Sequence, residues 1–191
     1  MEDAMSRISP VEPPYEGEVA ERLGVMMPPG VPPIHLFRMF VKNLPMAEAM
    51  GTWGSYELSK RLSLSMRDRE IVIDRTCARC GCEYEWGVHV TFFADRVGLT
   101  AEQITSLTHG ASTDACWSSH RDRVLIEACD ALHETSHIDD ALWERLSGEL
   151  AEAELLDLLM LCGWYHAISF AANGAALPLE DGAPRFDGVL Q

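Results

Sequence analysis

From Ile34 almost to the C-terminus, apolar residues recur every three or four positions, and no stretch alternates with period two for long enough to make a convincing strand. That pattern restricts the chain to an all-α fold. Ile34 to Lys42 is apolar at close spacing, and Pro45 restarts the chain in the first turn of an amphipathic helix, Met46 to Lys60. Ser65 can cap a helix that opens with Arg67-Asp68-Arg69-Glu70, and Gly81 stands where that helix should stop. A further helix is expected from Cys82 to about Val97, ended by Gly98, and Thr100 caps Ala101 to Leu107. Ser118 or Ser119 begins a helix whose face is Val124, Leu125, Ala128, Ala131 and Leu132, and Asp139 to Leu150 forms a shorter one. Glu152 to Asn173 is apolar on almost every side and is expected to be the most buried element.

The two ends differ from this body. Residues 1–33 carry Pro10, Pro13, Pro14, Pro28, Pro29, Pro32 and Pro33, with room for one short helix over Gly17 to Met27. They read as an N-terminal arm lying on the body or on a neighbouring subunit, or as a disordered tail. A helical domain then occupies 34–180, and 181–191, with Gly182, Pro184 and Gly188, reads as a loose C-terminal tail.

At 191 residues the body is large enough to bury a core without disulfide or metal staples. Fifteen basic against 30 acidic residues leave a formal charge of -15, with no Lys/Arg-rich stripe to reverse it locally, so nucleic acid and anionic membrane are excluded as partners. The apolar run Leu155 to Leu179 is interrupted by Asp157, His166 and Asn173 and reads as a buried helix rather than a membrane span. The N-terminal residues include Glu2, Asp3 and Glu12 and no apolar stretch of the secretory kind. Cysteines 77, 80 and 82 are clustered, while 116, 129 and 162 are scattered, which is no secreted disulfide framework. A cytoplasmic location is expected, and no cofactor motif is read.

Chemistry concentrates between Arg69 and His89, where twenty-one residues hold three cysteines, four carboxylates, a tyrosine, a tryptophan and a histidine. Glu85 and His89 are four apart, hence on one helix face and able to hydrogen-bond. Cys82, three before Glu85, sits at a helix N-terminus, whose unpaired N–H groups should favour its thiolate. The strip thus offers a nucleophile, an acid/base and an imidazole that titrates near neutrality. A solvated Glu–His pair or a satisfied core histidine is the plain structural alternative. Cys77, Cys80, Cys82 and His89 could be counted as a zinc set, but they would lie on two helices with Gly81 between rather than on a knuckle, and no metal site is read.

This segment resembles the active-site signature of the AhpD-like / carboxymuconolactone decarboxylase family. In the AhpD branch a glutamate precedes a Cys-x-x-Cys pair by twelve positions, and a histidine follows the second cysteine by four. Glu70 lies twelve before Cys82 and His89 four after Glu85, so Glu70, Cys82 and His89 match while Glu85 replaces the second cysteine. The run Glu83-Tyr84-Glu85-Trp86 followed by His89 is like the decarboxylase-type branch. Gly98-Leu99-Thr100 and Gly163-Trp164-Tyr165 through Asn173 also look like that family, so the resemblance spans Leu36 to about Leu179.

The resemblance implies a compact helical bundle assembled as a homo-oligomer, trimeric or hexameric, with active sites near subunit contacts. It implies catalytic roles for Glu70, Cys82, Glu85 and His89. Tyr84 and Trp86 beside them, and Tyr165 and His166 in the apolar final helix, are candidates to line a small-molecule site. Arg75 and Arg79 are candidates to attract an anionic substrate. Two reactions remain open. One is acid/base chemistry of the decarboxylase or lactone type on a small organic acid. The other is thiol-dependent hydroperoxide reduction through Cys82, with Cys77 or Cys80 as resolving thiol. A non-enzymatic helical scaffold is the third reading.

Overall fold

The computed structural model describes residues 6–190; residues 1–5 of the N-terminal arm and residue 191 of the tail lie outside them. Nine α-helices occur among the described residues, and no strand does. They are α1 (Gly17–Met26), α2 (His35–Phe40), α3 (Leu44–Glu57), α4 (Met66–Arg79), α5 (Glu83–Phe93), α6 (Ala101–His109), α7 (His120–Thr135), α8 (Asp140–Glu149) and α9 (Glu152–Gly174). Short 3-10 turns follow α5 at Asp95–Val97 and close the chain at Phe186–Leu190.

Local chemistry explains the boundaries. The Ser65 hydroxyl accepts from the Asp68 N–H while the Asp68 carboxylate takes the Ser65 N–H, a reciprocal cap that satisfies two orphan donors of α4. Thr100 and Gln103 do the same for α6, and Ser119 and Asp139 cap α7 and α8. Gly81 takes φ +61° between α4 and α5, a left-handed turn that a side chain would strain. It reverses the chain so sharply that Cys82 N–H reaches the Cys77 carbonyl at 2.8 Å.

The most buried element is α4, not the apolar α9. Every residue from Asp68 to Cys77 is buried, and α4 packs against α5, α6, α7 and α9. Its charged side chains are paired inside. Arg75 sends Nε and Nη2 to the two oxygens of Asp130 on α7, at 2.7 Å each, and Nη1 to the Leu107 and Gly110 carbonyls that end α6. Asp68 accepts from Arg121 at 3.0 Å. A buried helix can carry such charges because partners replace the lost water. Conversely, α9 leaves Leu156, Met160 and Phe170 exposed.

The described residues at both ends lie against the body. Arg7 N–H donates to the Ala175 carbonyl, Val11 exchanges hydrogen bonds with Arg38 of α2, and α1 packs on α3. The C-terminal segment is not loose. Glu83 accepts the Phe186 N–H at 2.7 Å, Thr105 donates to the Val189 carbonyl, and the Phe186 ring meets Trp86 edge-on at 5.0 Å. Gly87 permits this approach, since a Cβ there would stand 3.1 Å from the Pro184 carbonyl oxygen.

Candidate functional site

Three helices meet at His89. Glu70, in the buried stretch of α4, places Oε2 2.7 Å from His89 Nδ1 on α5. The opposite ring nitrogen, Nε2, lies 3.0 Å from the Tyr165 hydroxyl of α9 and 3.5 Å from Glu85 Oε1 one turn before it on α5. All four side chains are buried, with His89 itself 3% exposed. Arg69 closes the other side of Glu70, with Nε donating to Oε1 at 2.6 Å, and its guanidinium lies 5.1 Å above the Phe93 ring, which also flanks His89.

This arrangement decides the protonation of the imidazole. Burial alone would push the His89 pKa down. The charge and hydrogen bond of Glu70, then those of Glu85, outweigh it and hold the pKa at about 10. His89 therefore keeps both ring protons through neutral pH, one aimed at Glu70 and one at Tyr165 and Glu85. Asp74, one turn beyond Glu70, is pushed well up, by burial first and then by the Glu70 charge. Its Oδ1 has no hydrogen-bond partner among the described residues. Glu85 Oε2 is likewise buried and unpartnered among them.

The structure brings Glu70, Glu85, His89 and Tyr165 into one hydrogen-bonded group, with Cys82 beside it as the N-cap of α5. The thiolate expected at Cys82 is corrected. Burial raises its pKa to about 11, which the Glu85 backbone N–H only partly opposes and the Glu85 carboxylate reinforces. The favourable helix terminus loses to desolvation because the sulfur is fully enclosed.

Three other expected positions point elsewhere. The Tyr84 hydroxyl accepts from the Leu36 N–H and donates to Glu180, tying α2 and the C-terminal segment to α5. Trp86 is enclosed against Phe186. His166 turns from the group, because it follows Tyr165 by one position and so projects from α9 about 100° away; its Nε2 lies 3.1 Å from His133. Arg75 and Arg79 are not free to attract substrate, being bound to Asp130 and, for Arg79, to Glu134 as well.

Arg69 and Asp74 were missed as members of the group. The signal for Asp74 was present, since Glu70, Asp74 and Cys77 share one face of α4 at i, i+4 and i+7. A cavity of about 210 Å³ lined by Tyr15, Leu23, Gly24 and Pro28 touches none of these residues.

The sequence pattern described as the carboxymuconolactone decarboxylase family matches residues 45–128, which include this group up to its α9 member. No curated protein matches the chain. Among solved structures, an uncharacterized peroxidase-related protein from Silicibacter sp. TM1040 superposes with a TM-score of 0.73 at 16% identity, covering 96% of this chain and 98% of that one. A protein of unknown function from Agrobacterium tumefaciens, considered an antioxidant defence protein AhpD, gives a TM-score of 0.64 at 19% identity over 74% and 97%. The debrominase Bmp8 gives 0.73 at 16% identity over 95% and 97%. A cysteine-to-alanine variant of it, in complex with 2,3,4-tribromopyrrole, gives 0.74 at 12% identity over 98% and 97%. These likenesses establish a shared helical fold, and the centre of the chain is similar to the carboxymuconolactone decarboxylase family.

Proposed function

We propose that the protein is an acid/base enzyme of the decarboxylase or lactone type, acting on a small unsaturated organic acid. The observation that carries this reading is the protonated His89 between the carboxylates of Glu70 and Glu85. Loss of CO2 leaves an electron pair on carbon as a carbanion or dienolate, which a positioned proton donor must quench. His89 Nε2–H is that donor, and Glu70 fixes its orientation from the far side. The unpartnered Glu85 oxygen offers a hydrogen-bond position to the substrate, and the water-poor surroundings favour a carboxylate losing its hydration.

A second reading, hydroperoxide reduction, is supported by the three neighbouring thiols. The peroxidase-related and AhpD-assigned structures share the fold. One experiment separates the two. The reduced protein is exposed to hydrogen peroxide and to an organic hydroperoxide, alkylated rapidly, and mapped by peptide mass. Cys82 is expected to oxidise no faster than the half-exposed Cys116, and the protein is expected to release CO2 from a panel of lactone and unsaturated carboxylic acids. Oxidation of Cys82 within seconds, with a reversible disulfide to Cys80 or Cys77, would establish the peroxidase instead. A scaffold role would follow if neither reaction occurred.

We further propose that the chain works as a homo-oligomer of three or six copies. Leu156, Met160, Gly163, Ala167 and Phe170 form one exposed stripe along α9, with Leu156 and Phe170 more than 60% exposed. Light scattering should show that multiple for the native chain and a smaller mass for Phe170→Glu. A native monomer at micromolar concentration overturns this.

A further inference from the structure

Outside the His89 group, three helices bring one sulfur and two imidazole nitrogens to a single point. Cys80 is the C-cap of α4, His133 lies in the last turn of α7, and His166 lies in α9. Cys80 Sγ is 3.8 Å from His133 Nδ1, and that nitrogen is 3.1 Å from His166 Nε2. All three ligand atoms fall within 4.8 Å of one another. A tetrahedral zinc ion bonded at about 2.0–2.1 Å to nitrogen and about 2.3 Å to sulfur would set its N···N edge near ~3.3 Å and its N···S edge near ~3.6 Å. The measured edges bracket those values. The two imidazole centroids lie 5.3 Å apart, as they would if both rings radiated from one ion.

The hydrogen bonding around the cluster prepares it further. His166 Nδ1 donates to the Cys162 carbonyl at 2.8 Å, so its proton is held on that side and Nε2 presents a bare lone pair to the cluster. A carbonyl holding the far nitrogen of a histidine is the usual support of a metal-bound imidazole. Asn173 fixes the Cys80 carbonyl at 3.0 Å. All three residues are half-buried.

We propose that Cys80, His133 and His166 form a second site, separate from the His89 group, that binds one zinc ion per chain through a thiolate and two imidazoles. On binding, the Cys80 thiol gives up its proton to solvent, and the His133 proton moves to Nε2, so one proton is released per ion. The ligand set is borderline-soft, which favours zinc over calcium or magnesium. The bound ion would join α4, α7 and α9 at the opposite end of α4 from its Ser65 cap.

Cobalt(II) is the probe. The full-length protein, reduced and freed of metal with a chelator, is titrated with Co2+ and followed by absorption. A sulfur-to-cobalt charge-transfer band that saturates at one equivalent, and that Zn2+ displaces, is expected. Cys80→Ser should abolish the band, His133→Asn and His166→Gln should each weaken binding by about 100-fold or more, and Cys82→Ser should retain it. Each variant is compared by circular dichroism. No charge-transfer band at equimolar cobalt, a band that survives Cys80→Ser, or one lost in Cys82→Ser would overturn the site.

Discussion

Glu70→Gln lowers the stability of this protein by about 3–5 kcal/mol at pH 7, the cost of removing one partner from a buried ion pair. The side chain keeps its shape, so packing is preserved and the loss is electrostatic. Glu70 stands between two cations, Arg69 at 2.6 Å and the His89 imidazolium at 2.7 Å, with none of the three more than 3% exposed. Without the carboxylate, either both positive charges stay buried together or His89 gives up its proton. For a domain of this size the loss is a fall in Tm of roughly 10 °C or more.

The same pairing has a signature in pH. His89 titrates at about 10 in the folded protein against 6.5 unfolded, so its stabilisation is fully present below pH 6.5 and is lost as pH rises toward 10. Its upper bound is about 5 kcal/mol from the shift itself. Thermal melts of the native chain should therefore weaken between pH 7 and 10, and those of Glu70→Gln should weaken much less. A Glu70→Gln loss below about 1 kcal/mol with an unchanged pH profile would mean that the Glu70–His89 contact carries no charge.

On the proposed function, His89→Gln is expected to reduce kcat by about 10²–10⁴-fold on any carboxylic acid or lactone that proves to be a substrate, the usual contribution of a positioned proton donor. Glutamine can keep a hydrogen bond to Glu70 or Tyr165 but cannot donate a proton to carbon. KM should change much less than kcat, because the imidazole is asked to act in the transition state rather than to hold substrate. The native enzyme should also lose activity at alkaline pH as His89 deprotonates, and the variant's residual activity should lack that limb. A kcat within tenfold of the native value would remove His89 from the chemistry.

Most of the helical framework was legible in the chain because helix ends are local events. Ser65, Thr100 and Asp139 cap through residues three positions away, and Gly81 and Gly98 take left-handed turns that few other residues tolerate. The Glu85–His89 strip was legible for the same reason, being one turn of one helix. What the chain alone determined was periodicity, caps and the residues offered to the site. Burial and pairing were decided only in three dimensions. Whether Arg69, Glu70 and Asp74 faced water or the interior depended on α5, α7 and α9 arriving around α4. That enclosure made Cys82 a thiol rather than a thiolate, made His89 an imidazolium, and turned His166 toward His133 and Cys80. Each of those outcomes rests on desolvation and on charges distant in sequence, which no local pattern encodes.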